Sequence, residues 1–292
     1  LTAYPSAKAN LDYDALNLQK FLPGAAIFTD GKQKTIGDPL RDFSLLFPTL
    51  FSGIGNFSDK LKILRLNKLL KQQLLPEIFD QPETTTLAHL QKLGFSEEMI
   101  AKFFSPFFSG IFLEPNLETS SRLFDFVYKM FGEGFAALPK AGIEAIPKQL
   151  ATQLKHTKFH FNTRVKNVAD GKIILENGDV LESHFTIVAA EASPLISNLK
   201  SQETSWKSCD TLYFETPKRM ISKPLIGLVA DESLLVNNIF YHNSLATVSK
   251  GAQELLSVNI VKDHNMFEEF LIKKVQEQLK IYSGIDSCTF LK

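Results

Sequence analysis

The sequence predicts a mixed α+β protein with a helical part, a small mixed unit, and a largely antiparallel sheet. Three observations predict this class. Leucine recurs at three- and four-residue steps between positions 61 and 74, which is typical of a helix. Asn177-Gly178 separates two short apolar segments, a pattern that indicates a β-hairpin. Several short apolar segments that follow residue 211 are typical of strands.

The first 130 residues are predicted to begin with a hairpin and to continue as helices. Ala25 to Phe28 predicts a strand, and Asp30-Gly31 predicts the turn to a second one. Helices are expected to begin near Ser58, Thr84, Ser96 and Thr119 or Ser120, and to end near Pro76, Gly94, Pro106 and Gly132. Gly53-Ile54-Gly55-Asn56 lacks a third glycine and a preceding strand, so we interpret it as a loop.

The pattern changes after residue 131. Ile143 to Leu154 predicts a helix, Phe159 to Val168 a strand, and 172–175 with 179–181 the two arms of the hairpin. Phe185 to Ala190 is a continuous apolar run, which predicts a buried strand. We expect this strand to lie beside the one around Val165.

The last part is predicted to be a sheet with a final helix. The strands are expected at 212–214, 226–229, 239–242 and 255–261, and the helix at 267–279. The order of elements predicts three parts, namely residues 1–130, 131–200 and 201–292.

The composition excludes some classes of function. The 292 residues contain 32 Lys plus Arg and 32 Asp plus Glu. The basic surplus that is typical of a nucleic-acid-binding protein is therefore missing. No apolar run is long enough for a transmembrane helix, although peripheral contact with a membrane stays open. Two cysteines do not form a disulfide framework, so we expect a reducing, cytoplasmic location.

Phenylalanine is unusually abundant, with 25 Phe against one Trp and six Tyr. Either these rings fill the core, or some of them line a cavity for an apolar substrate. The densest group is Phe103, Phe104, Phe107, Phe108 and Phe112. Composition alone does not separate the two interpretations.

The familiar signatures of other chemistries are missing from the sequence. No G-x-G-x-x-G, Walker A or G-x-S-x-G pattern occurs. The six histidines are scattered, so no metal site is predicted. No residue is singled out as a catalytic acid, base or nucleophile.

Two segments carry a more specific signal. The first runs from Phe131 through Leu138-Pro139-Lys140-Ala141-Gly142-Ile143 to Leu150, and Asn162-Thr163-Arg164-Val165 follows it. The second is 185–191, ending in Val188-Ala189-Ala190-Glu191 after the hairpin. This order resembles the flavin amine oxidase, protoporphyrinogen oxidase and phytoene desaturase superfamily of FAD-dependent oxidoreductases. The sequence departs from the family pattern at Ala141, where Gly is common, and at Val168, where Ile is usual.

The resemblance covers essentially the whole chain. Further similarity to a bacterial branch of the superfamily lies in four segments, namely 1–5, 38–41, 103–113 and 237–251. The family's glycine-rich strand–turn–helix would precede Leu1, and its C-terminal flavin segment would follow Lys292. We therefore expect a trimmed, interior segment that binds FAD poorly by itself and is inactive in isolation.

The resemblance also implies where the cofactor lies. It places the backbone of Val165 at the adenine, and Ala189, Ala190 and Glu191 near the flavin. Backbone contacts suit such residue types, because peptide N–H and C=O groups would do the binding. An ordinary structural valine is the alternative at Val165.

The function implied is hydride transfer from a small-molecule amine or an apolar C–H substrate to FAD. Residues 1–130 and 201–292 would cover the substrate. The alternative is a non-catalytic module that binds a hydrophobic ligand or a protein. A structural α+β protein whose likeness to the family is accidental is a third, weaker interpretation.

Overall fold

The computed structural model describes residues 1–196, 199, 205–247 and 252–292. The α-helices among them are α1 (Pro5–Asn10), α2 (Tyr13–Leu16), α3 (Leu46–Leu50), α4 (Phe57–Gln72), α5 (Leu75–Phe79), α6 (Thr86–Lys92), α7 (Glu97–Met99), α8 (Ser105–Phe112), α9 (Ser121–Glu133), α10 (Ala145–Thr152) and α11 (Glu268–Ser283). The strands are β1 (Leu18–Lys20), β2 (Gly24–Thr29), β3 (Lys32–Gly37), β4 (Ala137–Pro139), β5 (Val165–Ala169), β6 (Lys172–Leu175), β7 (Val180–Glu182), β8 (Asp210–Thr216), β9 (Ile226–Val229), β10 (Val236–Tyr241), β11 (Glu254–Ile260) and β12 (Thr289–Phe290).

These elements confirm the α+β class, and they form two compact units. The first unit comprises Leu1–Ala151 with Lys207–Lys292, and the second comprises Thr152–Trp206. The three-part division at residues 130 and 200 follows the proposed roles of the segments rather than their packing, and it stays a prediction. Its second boundary, residue 200, lies outside the described residues.

A seven-stranded sheet organises the first unit. Its strand order is β12-β8-β11-β10-β9-β2-β3, and every neighbouring pair is antiparallel except β2 with β9. The predicted first hairpin is confirmed as β2–β3, and its turn residues Asp30 and Gly31 have φ of 53° and 67°. The strands predicted after residue 211 are confirmed as β8 to β11.

The two faces of the sheet are covered by different cores. On one face, Phe214, Ile239 and Leu256 pack with Leu271 and Val275 of α11. On the other face, Ile27 and Leu228 belong to a core that the helices supply through Leu66, Phe104, Phe108 and Phe124. Burial on both faces explains why the Ala25–Phe28 segment is apolar without alternation.

The helix predicted to end at Pro106 does not end there. Residues 97–112 are helical throughout, because a π-turn at Ile100–Phe104 joins α7 to α8. In this turn the N–H of Ser105 donates to the carbonyl of Ile100, five residues back. A proline ring normally collides with the preceding turn of a helix, and the wider π-turn makes room for it.

The start of α4 is also corrected. The N-cap is Asn56, two residues before the predicted start at Ser58, and its side chain accepts from the N–H of Asp59 at 2.9 Å. The Asp59 carboxylate in turn accepts from the N–H of Asn56 at 2.9 Å, which completes a capping box. The helix ends at Gln72, and Pro76 opens α5 instead of closing α4.

The second unit contains a three-stranded antiparallel sheet in the order β5-β6-β7. The Asn177-Gly178 hairpin is confirmed, with Gly178 at φ 90°. The preceding strand is shorter than predicted, since only Val165–Ala169 is extended and paired.

The prediction of a buried strand at Phe185–Ala190 is wrong. The segment belongs to no strand, and Phe185 and Ile187 are 81% and 80% exposed. An apolar run is buried only where a neighbouring strand and a covering layer meet it, and the described residues supply neither. Strand β5 therefore lies beside β6, not beside this segment.

The buried carboxylate of Asp59 provides a test of the helical core. It accepts from the N–H and the hydroxyl of Ser96, at 2.9 and 2.6 Å, and so ties α4 to the start of α7. Burial raises the pKa of Asp59, but these hydrogen bonds, that from Asn56 and the charge of Lys62 outweigh it and leave the pKa lowered. We expect Asp59→Asn to lower the free energy of unfolding by about 2 kcal/mol.

Chemical denaturation measures this change. The matched control is Asp80→Asn, which alters an exposed carboxylate and should change stability by less than about 0.5 kcal/mol. Equal effects of the two substitutions would contradict a special role for Asp59.

Candidate functional site

The adenine-side residue predicted from the resemblance, Val165, opens strand β5. It is half-buried and pairs with Leu175 of β6, and the register shifts between Val165 and Asn167. Such an irregularity re-aims the backbone at one edge of a small sheet. The structure therefore confirms that Val165 lies in a strand, while its contact with a cofactor stays a prediction.

The flavin-side residues Ala189, Ala190 and Glu191 are exposed and lie outside any strand. Just after them the chain turns, with the N–H groups of Leu195 and Ile196 donating to the carbonyl of Ala192. The N–H of Val168 then donates to the carbonyl of Leu195 at 2.7 Å. Strand β5 thus contacts the turn that follows the predicted segment rather than the segment itself.

The backbone of this segment suits the type of contact expected of it. Within the described residues, the peptide groups of 184–191 form no backbone hydrogen bond. Unpaired and exposed N–H and C=O groups are free to bind a ligand or another strand. Both alanines lack bulky side chains that would block such an approach, so these residues fit a cofactor held through its peptide contacts.

The sheet of the first unit offers a different kind of surface. Opposite α11, a polar row crosses three strands, where Thr211 donates to Asn259 at 2.7 Å and Asn259 donates to Asn238 at 2.8 Å. Next to this row, Tyr213 pairs with Ser257, which pairs with Phe240. This face therefore alternates between hydrogen-bonding and aromatic rows.

Four rings gather at the end of β10. We call Phe21, Tyr213, Phe240 and His242 the aromatic cluster. The Phe21 and Phe240 centroids are 4.7 Å apart, and His242 lies 5.2 Å from Phe240 and 6.0 Å from Tyr213. Phe240 is buried and the other three rings are half-buried. The partly exposed edges of such a cluster suit an apolar or cationic group.

Buried polar atoms without partners lie just after β10 and at the start of β11. His242 belongs to the aromatic cluster, whereas Glu254 is on the strand face that Leu256 turns toward α11. The atoms His242 Nε2, Ser244 Oγ and Glu254 Oε2 are buried and have no hydrogen-bond partner among the described residues. The other Glu254 oxygen pairs with Arg219 Nε at 3.1 Å. A buried polar atom without a hydrogen bond lowers the stability of the folded protein, and such atoms are often found at functional sites. Burial also lowers the pKa of His242, so its imidazole is neutral at pH 7.

The dense phenylalanine group belongs to the core. Phe104, Phe108 and Phe112 are buried, and Phe103 and Phe107 are half-buried against the same helical core. The core interpretation of these five rings is therefore confirmed.

A polar cavity of about 660 Å³ lies elsewhere in the first unit. Its lining includes Lys8, Tyr13, Asp14, Lys20 and Glu133. This mixture of charges is unlike the surface that an apolar substrate requires, and we assign it no role.

The aromatic cluster was missed by the sequence prediction. The signal that was present is the alternation of Tyr213 with Leu212 and Phe214, which indicates one residue facing away from the core. Alternation does not reveal that Phe21, some 190 residues earlier in the chain, contributes to the same cluster.

Comparison with known proteins supplies the family. The model of the family described as "Flavin containing amine oxidoreductase" matches residues 3–281. No curated protein sequence matched the chain.

Solved structures share the fold. An oxidoreductase from Methanosarcina mazei superposes with a TM-score of 0.67 and 15% identity, over 96% of this chain and 71% of that one. Cyclohexylamine oxidase from Brevibacterium oxydans superposes with a TM-score of 0.58 and 12% identity, over 99% and 71%. A Rab GDI from Plasmodium falciparum gives 0.53 and 11%, over 94% and 66%. At these identities the superpositions establish a common fold.

The lowered pKa of His242 predicts a pH dependence of stability. In the unfolded chain the imidazole binds a proton below its ordinary pKa of 6.5, whereas in the folded protein the lowered pKa means that it binds this proton only at a lower pH. The stabilising contribution of a neutral His242 is thus complete above pH 6.5 and is lost progressively as the pH falls below that value.

Denaturation curves above and below this pH measure the effect. We expect His242→Phe, which keeps a ring but cannot titrate, to lose less stability on acidification than the unmodified protein. His156→Phe, at an exposed position, is the matched control for exchanging an imidazole for a phenyl ring. An unchanged pH profile in the His242 variant would contradict the assignment.

Proposed function

Because the chain belongs to the family of flavin-containing amine oxidoreductases, matched over residues 3–281, we propose that it acts as an FAD-dependent oxidoreductase. The family match is the observation that carries this proposal. The substrate is an amine or a molecule with an apolar reactive C–H bond. A bound flavin would supply the hydride-accepting chemistry. The protein would then need mainly to bind, orient and desolvate the substrate, rather than to supply an acid or a base.

The second unit is proposed to hold the cofactor. Val165 would contact the adenine through its backbone, since it opens a strand at an irregular edge. The exposed peptides of Ala189 and Ala190 would contact the flavin, with Glu191 beside them. The unpaired backbone of residues 184–191 supports this assignment.

The first unit is proposed to contact the substrate through the aromatic cluster. Phe21 and Tyr213 are the half-buried phenyl and phenol rings of the cluster, whereas Phe240 is buried. These two rings would exclude water and attract either an apolar group or the cationic head of an amine. The neutral imidazole of His242 has a buried, unpartnered Nε2 that would hydrogen-bond and orient a polar substrate atom.

The absorption spectrum of the purified protein tests the proposed function directly. We expect the visible bands of an oxidised flavin, and we expect them to bleach when a suitable amine or apolar reductant is added without oxygen. Titration of this 292-residue chain with FAD shows whether it binds the cofactor by itself. Weak binding of FAD by the 292-residue chain alone is what the sequence predicts. A full-length protein that is colourless and oxidises no substrate of these classes would contradict the proposal.

A substitution in the second unit tests the cofactor assignment. We expect Ala190→Phe to lower flavin affinity by roughly tenfold or more, about 1.4 kcal/mol, because a ring at this position would block the approach of the cofactor to the peptide groups. Ala169→Phe places the same ring at an exposed position in β5 and should retain most of the affinity. Fluorescence titration with FAD distinguishes the variants, and equal affinities would remove Ala190 from the site.

The alternative function is a non-catalytic binding module. It is favoured by one observation, namely that the fold is shared with a Rab GDI, a protein that is not named as an oxidoreductase. Under this alternative the aromatic cluster would bind a hydrophobic ligand or a protein segment, with no flavin present. The same spectrum decides between the two functions, since only the oxidoreductase carries a reducible chromophore.

A further inference from the structure

The surface of the first unit carries an apolar region far larger than isolated exposed residues would produce. Leu40, Phe43, Phe47, Phe51 and Phe57 are each between 63% and 82% exposed. Leu50, Leu61 and Leu64 are exposed as well. We call these eight residues the apolar patch. An exposed patch of this kind marks a binding surface, because contact between so many apolar side chains and water is unfavourable.

The apolar patch is built from two adjoining helical stripes. Phe43, Phe47 and Leu50 follow helical spacing along the 3₁₀-turn Phe43–Leu45 and α3, and the rings of Phe47 and Phe51 stack at 6.5 Å. Phe57, Leu61 and Leu64 follow the same spacing along α4. Lys60 Nζ donates to the carbonyl of Leu50 at 2.8 Å, which holds the end of α3 against the first turn of α4.

Positive charge is concentrated on α4, beside the apolar patch. Between residues 40 and 72 there are six Lys or Arg and two Asp, although the whole chain has no net charge. One of the two acids, Asp59, is buried and hydrogen-bonded within the helical core. Arg65, Lys68 and Lys71 are exposed on α4, and no ion pair joins them to other described residues. A helix that combines an apolar stripe with basic neighbours is typical of a membrane-surface element.

We propose that the apolar patch docks onto the surface of an anionic phospholipid bilayer. The rings would enter the boundary between head groups and acyl chains, and Arg65, Lys68 and Lys71 would lie at the level of the anionic head groups. A second copy of the chain suits this surface less well, because a two-fold contact would bring like charges together. None of the helices in the described ranges is long and apolar enough to cross a bilayer, so the contact is peripheral.

Co-sedimentation with lipid vesicles tests this proposal. We expect the 292-residue chain to bind vesicles that contain phosphatidylserine and to bind pure phosphatidylcholine more weakly. The double variant Phe47→Ser/Phe51→Ser should bind at least about tenfold more weakly, because it lacks two rings that would be buried in the lipid. The triple variant Arg65→Gln/Lys68→Gln/Lys71→Gln should lose the preference for the anionic lipid.

A matched control uses exposed rings outside the apolar patch. Phe267 and Phe270 are 82% and 66% exposed near the start of α11, and Phe267→Ser/Phe270→Ser should leave vesicle binding unchanged. An equal loss in this control would overturn the assignment of the surface. So would the absence of binding by the unmodified chain, or a dimer that dissociates on substitution of Phe47 and Phe51.

A second measurement covers the case in which the double variant fails to fold. Phe51→Trp, made together with Trp206→Phe, places the single tryptophan of the chain in the apolar patch. We expect its emission to shift to shorter wavelength on addition of phosphatidylserine vesicles, since the indole leaves water. An unchanged emission spectrum at saturating lipid would overturn the proposal.

Discussion

The first unit depends on the burial of β2 on both faces. Ala25 and Ile27 pack toward the helices, while Ala26 and Phe28 pack toward α11, and β9 and β3 pair with the strand on its two edges. A strand enclosed in this way joins two cores that come from widely separated parts of the chain. The helical part and the late strands consequently form one unit rather than two.

This arrangement leaves part of the other side of the sheet for function. Toward β9 and β2, that side is covered by the helical core, which includes Phe104 and Phe108. Toward β8 the cover thins, since Thr211 is exposed and Tyr213 half-buried, whereas Asn238, Phe240 and Ser257 stay buried. The sheet therefore supplies stability where it is covered, and its thinly covered side is the surface that we propose for binding.

The features that were predicted correctly have local causes. The β2–β3 and β6–β7 hairpins follow from Asp30-Gly31 and Asn177-Gly178, in which Asp30, Gly31 and Gly178 take the positive φ values that tight turns favour. The two features that were predicted wrongly have different causes, one local and one dependent on distant residues. Pro106 is accommodated by a π-turn, and the apolar run that begins at Phe185 meets no covering surface among the described residues. Apolar composition indicates a tendency to be buried, but not what would bury it.

The amino-acid sequence by itself determined the α+β class, most strands of the sheet, and the resemblance that the family match confirms. Turn residues, hydrophobic periodicity and the order of motifs predict these properties, because each of these patterns extends over only a few residues. Only the tertiary structure decided that Phe104 and Phe108 fill the core, that Phe21 meets Phe240 and His242, and that Phe47 and Phe51 face water. The physical reason is that burial belongs to the assembled surface, since identical phenylalanines are placed inside or outside by neighbours far away in the chain.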